Sequence, residues 1–161
     1  MAGKISKSVL FVCLGNICRS PTAEAVFRQR VSDFPQFDLR IDSAGTGAWH
    51  VGESPDERSQ QVGAQRGYPM SDLRARQVRP RDFEQFDYIL AMDQSNLTNL
   101  QQMMPTDYSG QLGLFLDYAD TGVAEVPDPY YTEGDKGFHQ VIDLIEAATD
   151  GLLEHLLKAG R

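Results

Sequence analysis

The feature that most constrains this chain is the run Val9-Leu10-Phe11-Val12-Cys13, which is apolar without alternation and is broken by Gly15-Asn16. A strand with one face in water alternates. An unbroken apolar strand needs cover on both faces, as a central strand of a parallel sheet has. Ser20-Pro21 then offers a helix start, a capping residue type followed by proline at the first helical position. Ala23, Val26, Phe27 and Val31 recur at helical spacing until Phe34-Pro35 ends the segment. The first third therefore reads as strand, tight loop and helix.

The remainder continues the alternation. Phe37, Leu39 and Ile41 predict a second strand over Phe37 to Ser43, and Gly45-Thr46-Gly47 turns the chain into a loop carrying Trp49 and His50. Ser54-Pro55-Asp56-Glu57 starts a helix that runs to about Arg66, before Gly67, and Pro80 to Phe86 is a short helical stretch. Tyr88 to Met92 is another apolar strand, followed by a helix near Gln94 to Gln102 and a fourth strand over Leu112 to Leu116. Thr121 to Gly134 is a long loop containing Pro127-Asp128-Pro129-Tyr130-Tyr131. Phe138, Val141, Ile142, Ile145, Ala148, Leu152, Leu153 and Leu156 trace one helical stripe, with Gly151 as a weak point in it. The expectation is an α/β fold, a single domain over residues 1–161. It has a four-stranded parallel sheet with helices on both faces, a Rossmann-like three-layer arrangement.

Bulk properties narrow the function. A chain of 161 residues suits one core, and a net charge of -8 weighs against nucleic acid or an anionic membrane as partner. Arg74 to Arg81 carries four arginines but no interleaved aromatic platform, so it reads as a solvated or partly substrate-facing stretch. The two cysteines, Cys13 and Cys18, are too close for a useful staple. Their spacing is not C-x2-C, and His50, His139 and His155 lie elsewhere, so no metal site is expected. A reduced cytoplasmic setting fits best. Val9 to Leu14 is too short for a signal-peptide core or a membrane span, so no targeting segment is expected.

The loop between Cys13 and Pro21 lies where ligands bind parallel sheets, at the carboxyl end of a strand. Its backbone N–H groups, over Leu14, Gly15, Asn16, Ile17, Cys18, Arg19 and Ser20, can turn inward around an anion, aided by the positive helix end. Arg19 adds a planar fork for two phosphate oxygens. Cys13 then sits in positive potential that favours thiolate, the nucleophilic form, and Ser20 can donate a hydrogen bond to its sulfur. The bland alternative is a small buried cysteine at the end of a strand, and C-x5-R alone is common. The strand before it and the helix after it favour the chemical reading.

Val12-Cys13-Leu14-Gly15-Asn16-Ile17-Cys18-Arg19-Ser20-Pro21 resembles the active-site loop of the low-molecular-weight protein tyrosine phosphatases. The resemblance extends, in order, through Asp42-Ser43-Ala44-Gly45-Thr46, Ala75-Arg76-Gln77, the segment Phe86 to Asp93, and Val126 to Tyr131. It implies a metal-independent, cofactor-free hydrolase of phosphotyrosine in proteins, with Cys13 as nucleophile and Asp128 as general acid and base. It also implies that Asn16 and Ser43 brace the loop, that Asp93 orients Arg19, and that Trp49, Tyr130 and Tyr131 wall a substrate cleft; the competing reading of Asp93, a helix N-cap, is compatible with that role. Cys18 is a redox candidate by the same resemblance, able to pair with oxidised Cys13; a small buried residue is the competing reading. One departure stands out: a histidine that braces the loop in many members is replaced by Leu73, and Asp72 is a candidate substitute.

Three other activities share parts of this pattern. Thiol-relay arsenate reductases need cysteines beyond Cys18, which this chain lacks, leaving only a glutathione-dependent route. Phosphoarginine phosphatases tend to carry threonine where Ile17 stands here. A silent phosphopeptide-binding module would not need Asp128. The protein is expected to act as a monomer or weak dimer.

Overall fold

The computed structural model describes residues 4–129 and 134–159. Tyr130 and Tyr131 lie outside the described residues. Four parallel strands form one sheet in the order β2-β1-β3-β4: β1 Ile5–Cys13, β2 Phe37–Gly45, β3 Tyr88–Ala91 and β4 Gln111–Leu114. The helices are α1 Arg19–Val31, α2 Glu57–Gln65, α3 Asp82–Gln85, α4 Gln94–Met103 and α5 Lys136–Ala159, with a 3-10 turn at Phe115–Tyr118.

The unbroken apolar run sits where its composition demands. Val9 to Cys13 are buried between β2 and β3, and their side chains divide by parity. Val9, Phe11 and Cys13 enter a core shared with α1 and α5, whereas Leu10 and Val12 enter a second core with Phe83, Phe86 and Leu100. β3 repeats the division, with Tyr88 and Leu90 on the first side and Ile89 and Ala91 on the second. Helices therefore cover both faces.

Three local expectations change. β1 starts at Ile5, because its partly exposed first residues still pair with Phe37, Asp38 and Leu39 of β2. The fourth strand stops at Leu114, and Phe115 and Leu116 turn into the 3-10 segment, where both are buried. α5 runs unbroken through Gly151. A Cβ at Gly151 would lie 1.7 Å from the Tyr118 carbonyl oxygen, so glycine there lets the helix pass against the 3-10 turn.

The topology also creates the site. α1 leaves β1 toward one face, and α4 leaves the neighbouring β3 toward the other. The crevice between their starting loops is the topological switch point of the sheet.

Candidate active site

Cys13 ends β1, and the chain turns immediately around its sulfur. The backbone N–H of Asn16 donates to Cys13 Sγ at 3.3 Å, and Ser20 Oγ lies 3.0 Å from it. Ser20 is not the helix cap its sequence suggests. α1 begins at Arg19, Cys18 occupies the cap position without a side-chain bond, and the Ser20 hydroxyl turns back to the sulfur.

Asn16 locks this turn. It takes φ +58°, the left-handed region that asparagine tolerates better than most residues. Its amide nitrogen donates to Ser20 Oγ at 2.8 Å and Ser43 Oγ at 3.0 Å, and its oxygen accepts the Arg76 backbone N–H at 3.0 Å. With Ser20 Oγ accepting from Asn16, its own proton can go to the sulfur at 3.0 Å or to the more distant Ala44 carbonyl at 3.4 Å. Behind Ser43 lies a residue that sequence reasoning missed, Glu24, whose carboxylate accepts from Ser43 Oγ at 2.7 Å and from Arg28 at 2.7 Å. Glu24 is 3% exposed, and burial pushes its carboxyl above the ordinary value despite those partners. Its only sequence signal is the i,i+4 spacing to Arg28 on an otherwise apolar helix face.

Arg76 belongs to the stretch expected to be solvated or partly substrate-facing, yet it is half-buried and its main chain is part of the brace. Its guanidinium reaches Asp42 and both oxygens of the fully buried Asp82, each at 3.1 Å. Its carbonyl accepts from Gly45 N at 2.8 Å. Asp72, the candidate substitute for the missing histidine, instead lies exposed. Leu73 packs on the main core, and Arg28 is the group that meets Glu24. Leu73 therefore joins the core, and the ionic partner of this network comes from α1.

Arg19 is 3% exposed and held from two directions. It donates to Asp93 at 2.6 Å and to the Val126 carbonyl at 3.2 Å, and its other terminal nitrogen lies 3.8 Å from Asp128. Burial lowers its pKa, but Cys13, Asp93 and Asp128 outweigh that and hold it above the ordinary value. Asp93 serves twice: one oxygen meets Arg19, and the other caps α4 in a capping box with Asn96.

These residues surround a cavity of about 380 Å3. Cys13 and Arg19 line it together with Leu14, Gly15, Ile17 and Cys18, and Asp128 joins them from the far loop. Trp49 and His50 complete the wall. Trp49 is 74% exposed, so it stands at the mouth rather than in the core. His50, paired with Glu53, was missed as a wall residue; its adjacency to Trp49 was the available signal. Both cysteines are free thiols, and burial, followed by the Asp56 charge, pushes the Cys18 thiol up to about 12. No cluster of three or more His, Cys, Asp or Glu side chains suited to a metal ion occurs among the described residues. Nor is any helix among them long and apolar enough to cross a membrane.

A nucleophile type at a strand end, a backbone N–H turned toward its sulfur, an anchored arginine and a carboxylate on a facing loop together suit an oxyanion-handling site. The sequence profile of the low molecular weight phosphotyrosine protein phosphatases matches residues 8–161. The chain is 41% identical over 150 residues to the low molecular weight protein-tyrosine-phosphatase PtpA of Staphylococcus aureus, covering 93% of this chain and 94% of that one. Its fold is similar to a protein tyrosine phosphatase of Entamoeba histolytica, with TM-score 0.90, 42% identity and coverage of 96% and 99%. It is also similar to a Drosophila arginine phosphatase, with TM-score 0.85, 36% identity and coverage of 91% and 96%. The chain belongs to the low molecular weight phosphotyrosine protein phosphatase family.

Proposed function

We propose that this protein hydrolyses phosphotyrosine in proteins, and small aryl phosphates, through a phosphocysteine intermediate. The observation that carries the reading is the placement of Cys13 Sγ against Asn16 N–H and Ser20 Oγ, in a cavity shared with Arg19 and Asp128.

In the first step the Cys13 thiolate attacks phosphorus, forming an S–P bond as the P–O bond to the phenol breaks. Asp128 gives its proton to the departing phenolate oxygen. In the second step Asp128, now a carboxylate, takes a proton from water. The water oxygen attacks phosphorus, the S–P bond breaks and phosphate leaves. Arg19 and the N–H groups of residues 14–20 hold the equatorial oxygens through both steps. Ser20 Oγ, 3.0 Å from sulfur, supports the thiolate as attacker and as leaving group. Asn16, Ser43 and Asp93 keep these donors aimed. Trp49 offers a face for the substrate ring, a role proposed also for Tyr130 and Tyr131.

The wider reading follows. Residues 1–161 work as one phosphatase domain, in the cytoplasm, as a monomer or weak dimer, without metal or cofactor, on phosphotyrosine proteins rather than nucleic acid or membrane. Cys18 retains a redox role in this proposal only if its thiol, pushed up to about 12, is activated after Cys13 is oxidised.

A parallel assay of phosphotyrosine peptide, phosphoserine peptide, phosphoarginine and arsenate, run with chelator, tests the proposal. Phosphotyrosine turnover that Cys13→Ser abolishes is expected, and Asp128→Ala slows poor leaving groups most. Chelator-sensitive activity or an active Cys13→Ser protein refutes the mechanism. The likeness to an arginine phosphatase favours one second reading, phosphoarginine hydrolysis, and preference for that substrate would establish it.

A further inference from the structure

Leu14 and Trp49 line two depressions. One is the cavity above Cys13; the other is a groove of about 320 Å3 beside it. Thr46, Asn99, Gln102 and Met103 supply the rest of the groove's side-chain wall, so α4 reaches the neighbourhood of the candidate active site. The ring of Trp49 lies against Gly47, where a Cβ would sit 1.9 Å from it, and Gly47 also lines the groove.

Two properties set this groove apart. It adjoins the cavity through shared walls, so whatever fills the cavity places its attached groups at the groove's edge. Among the described residues it also has no charged side chain in its wall, in a chain of net charge -8. Leu14 and Trp49 are 41% and 74% exposed, and an isolated exposed apolar residue needs no explanation. Here the two exposed apolar side chains are the boundary that both depressions share.

We propose that the groove is the subsite for the side chain next to phosphotyrosine, and that it selects an uncharged residue there, apolar or amide-bearing, over an acidic one. This rests on the phosphotyrosine reading above. A phosphotyrosine seated over Cys13 carries its main chain at the cavity mouth. An extended chain advances only about 3.3 Å per residue, so a flanking side chain is within reach of the adjoining groove. A volume of about 320 Å3 holds a side chain, and its seven lining residues fall far short of the roughly 20–30 per partner of a stable protein interface. The partner is therefore a segment of substrate polypeptide rather than a second copy of this chain.

Binding of peptides carrying a non-hydrolysable phosphonate analogue of phosphotyrosine tests this, with leucine, glutamine, glutamate and lysine at each flanking position. The wild-type protein is compared with Gln102→Glu and Gln102→Lys. Gln102 is exposed on α4, so the fold tolerates either change, and KM and kcat for a small aryl phosphate stay constant. At one flanking position the wild type prefers leucine and glutamine to glutamate. Gln102→Lys improves glutamate binding by about fivefold and Gln102→Glu weakens it similarly, the factor expected of one unit charge at contact distance in water. A flanking preference identical in all three proteins, or no peptide binding at all, overturns the proposal. Charge-dependent peptide binding by a protein that fails to hydrolyse aryl phosphate would sink the catalytic reading and leave the groove standing. Normal hydrolysis without the charge response would do the reverse.

Discussion

Replacing Asn16 by alanine removes three hydrogen bonds from a residue that is 3% exposed: two donated to Ser20 and Ser43, and one accepted from Arg76. At about 1 kcal/mol net for each bond, the loss is about 3 kcal/mol. Alanine at φ +58° adds about 1 kcal/mol, because its Cβ meets the following carbonyl in the left-handed region. The expected destabilisation is about 4 kcal/mol, a large share of the stability of an ordinary domain. Urea titration measures it as a lowered midpoint at unchanged m-value. A double-mutant cycle with Ser43→Ala isolates the pairwise part, expected at about 1 kcal/mol. In the surviving folded fraction, kcat/KM for an aryl phosphate falls by about 100-fold, since the loop no longer aims its donors. A loss below about 1 kcal/mol, with no coupling to Ser43, would show that the loop holds its shape without this amide, and the bracing argument would fail.

Other outcomes follow from single residues. Because the Cys18 thiol is pushed up to about 12, only about one part in ten thousand is thiolate at pH 8. Iodoacetamide on the native protein should leave Cys18 unmodified by mass spectrometry, and rapid labelling there would contradict its burial. Glu24 has its carboxyl raised above 4.5 in the folded protein, chiefly by burial, so the folded state binds the proton more tightly than the unfolded one. Its unfavourable contribution is absent below pH 4.5 and grows as pH rises toward the folded value. The stability of Glu24→Gln relative to wild type should therefore improve from pH 4 to pH 7; a flat difference would mean that Glu24 does not titrate differently on folding. Gly151→Ala sets a helix-propensity gain of about 1 kcal/mol against a Cβ 1.7 Å from the Tyr118 carbonyl. The clash should win, with a net loss of about 2 kcal/mol in thermal or urea unfolding, and a stabilised variant would show that α5 and the 3-10 turn are not in contact.

What local pattern can carry, it carried well here. The run Val9 to Cys13 needs cover on both faces, and the sheet places β1 between β2 and β3. The apolar stripe from Phe138 to Leu156 is one buried helix face. Asp93 before a helix reads as a cap, and it is one. Each of these follows from spacing within a few residues, because period and capping are properties of a single element. Cys13 and Arg19 likewise lie within one turn between a strand and a helix, so spacing alone brings them together.

Tertiary structure alone decided the rest, and the common reason is separation along the chain. Whether the Ser20 hydroxyl caps a helix or faces sulfur depends on Asn16, and Asn16 is itself held by Ser43 and Arg76 from two other segments. Glu24 looks like an ordinary helical carboxylate until β2 brings Ser43 against it. The termination of β4 at Leu114 and the need for glycine at position 151 are two sides of one contact between residues far apart in sequence. The approach of Asp128 to Arg19 likewise requires Val126 to bond both Met92 and Arg19. Sequence periodicity encodes which face of an element is apolar, and so it determined a parallel three-layer fold with a tight turn after its first strand. Which polar groups meet across that fold depends on sheet order and helix docking, and only the folded chain sets those distances.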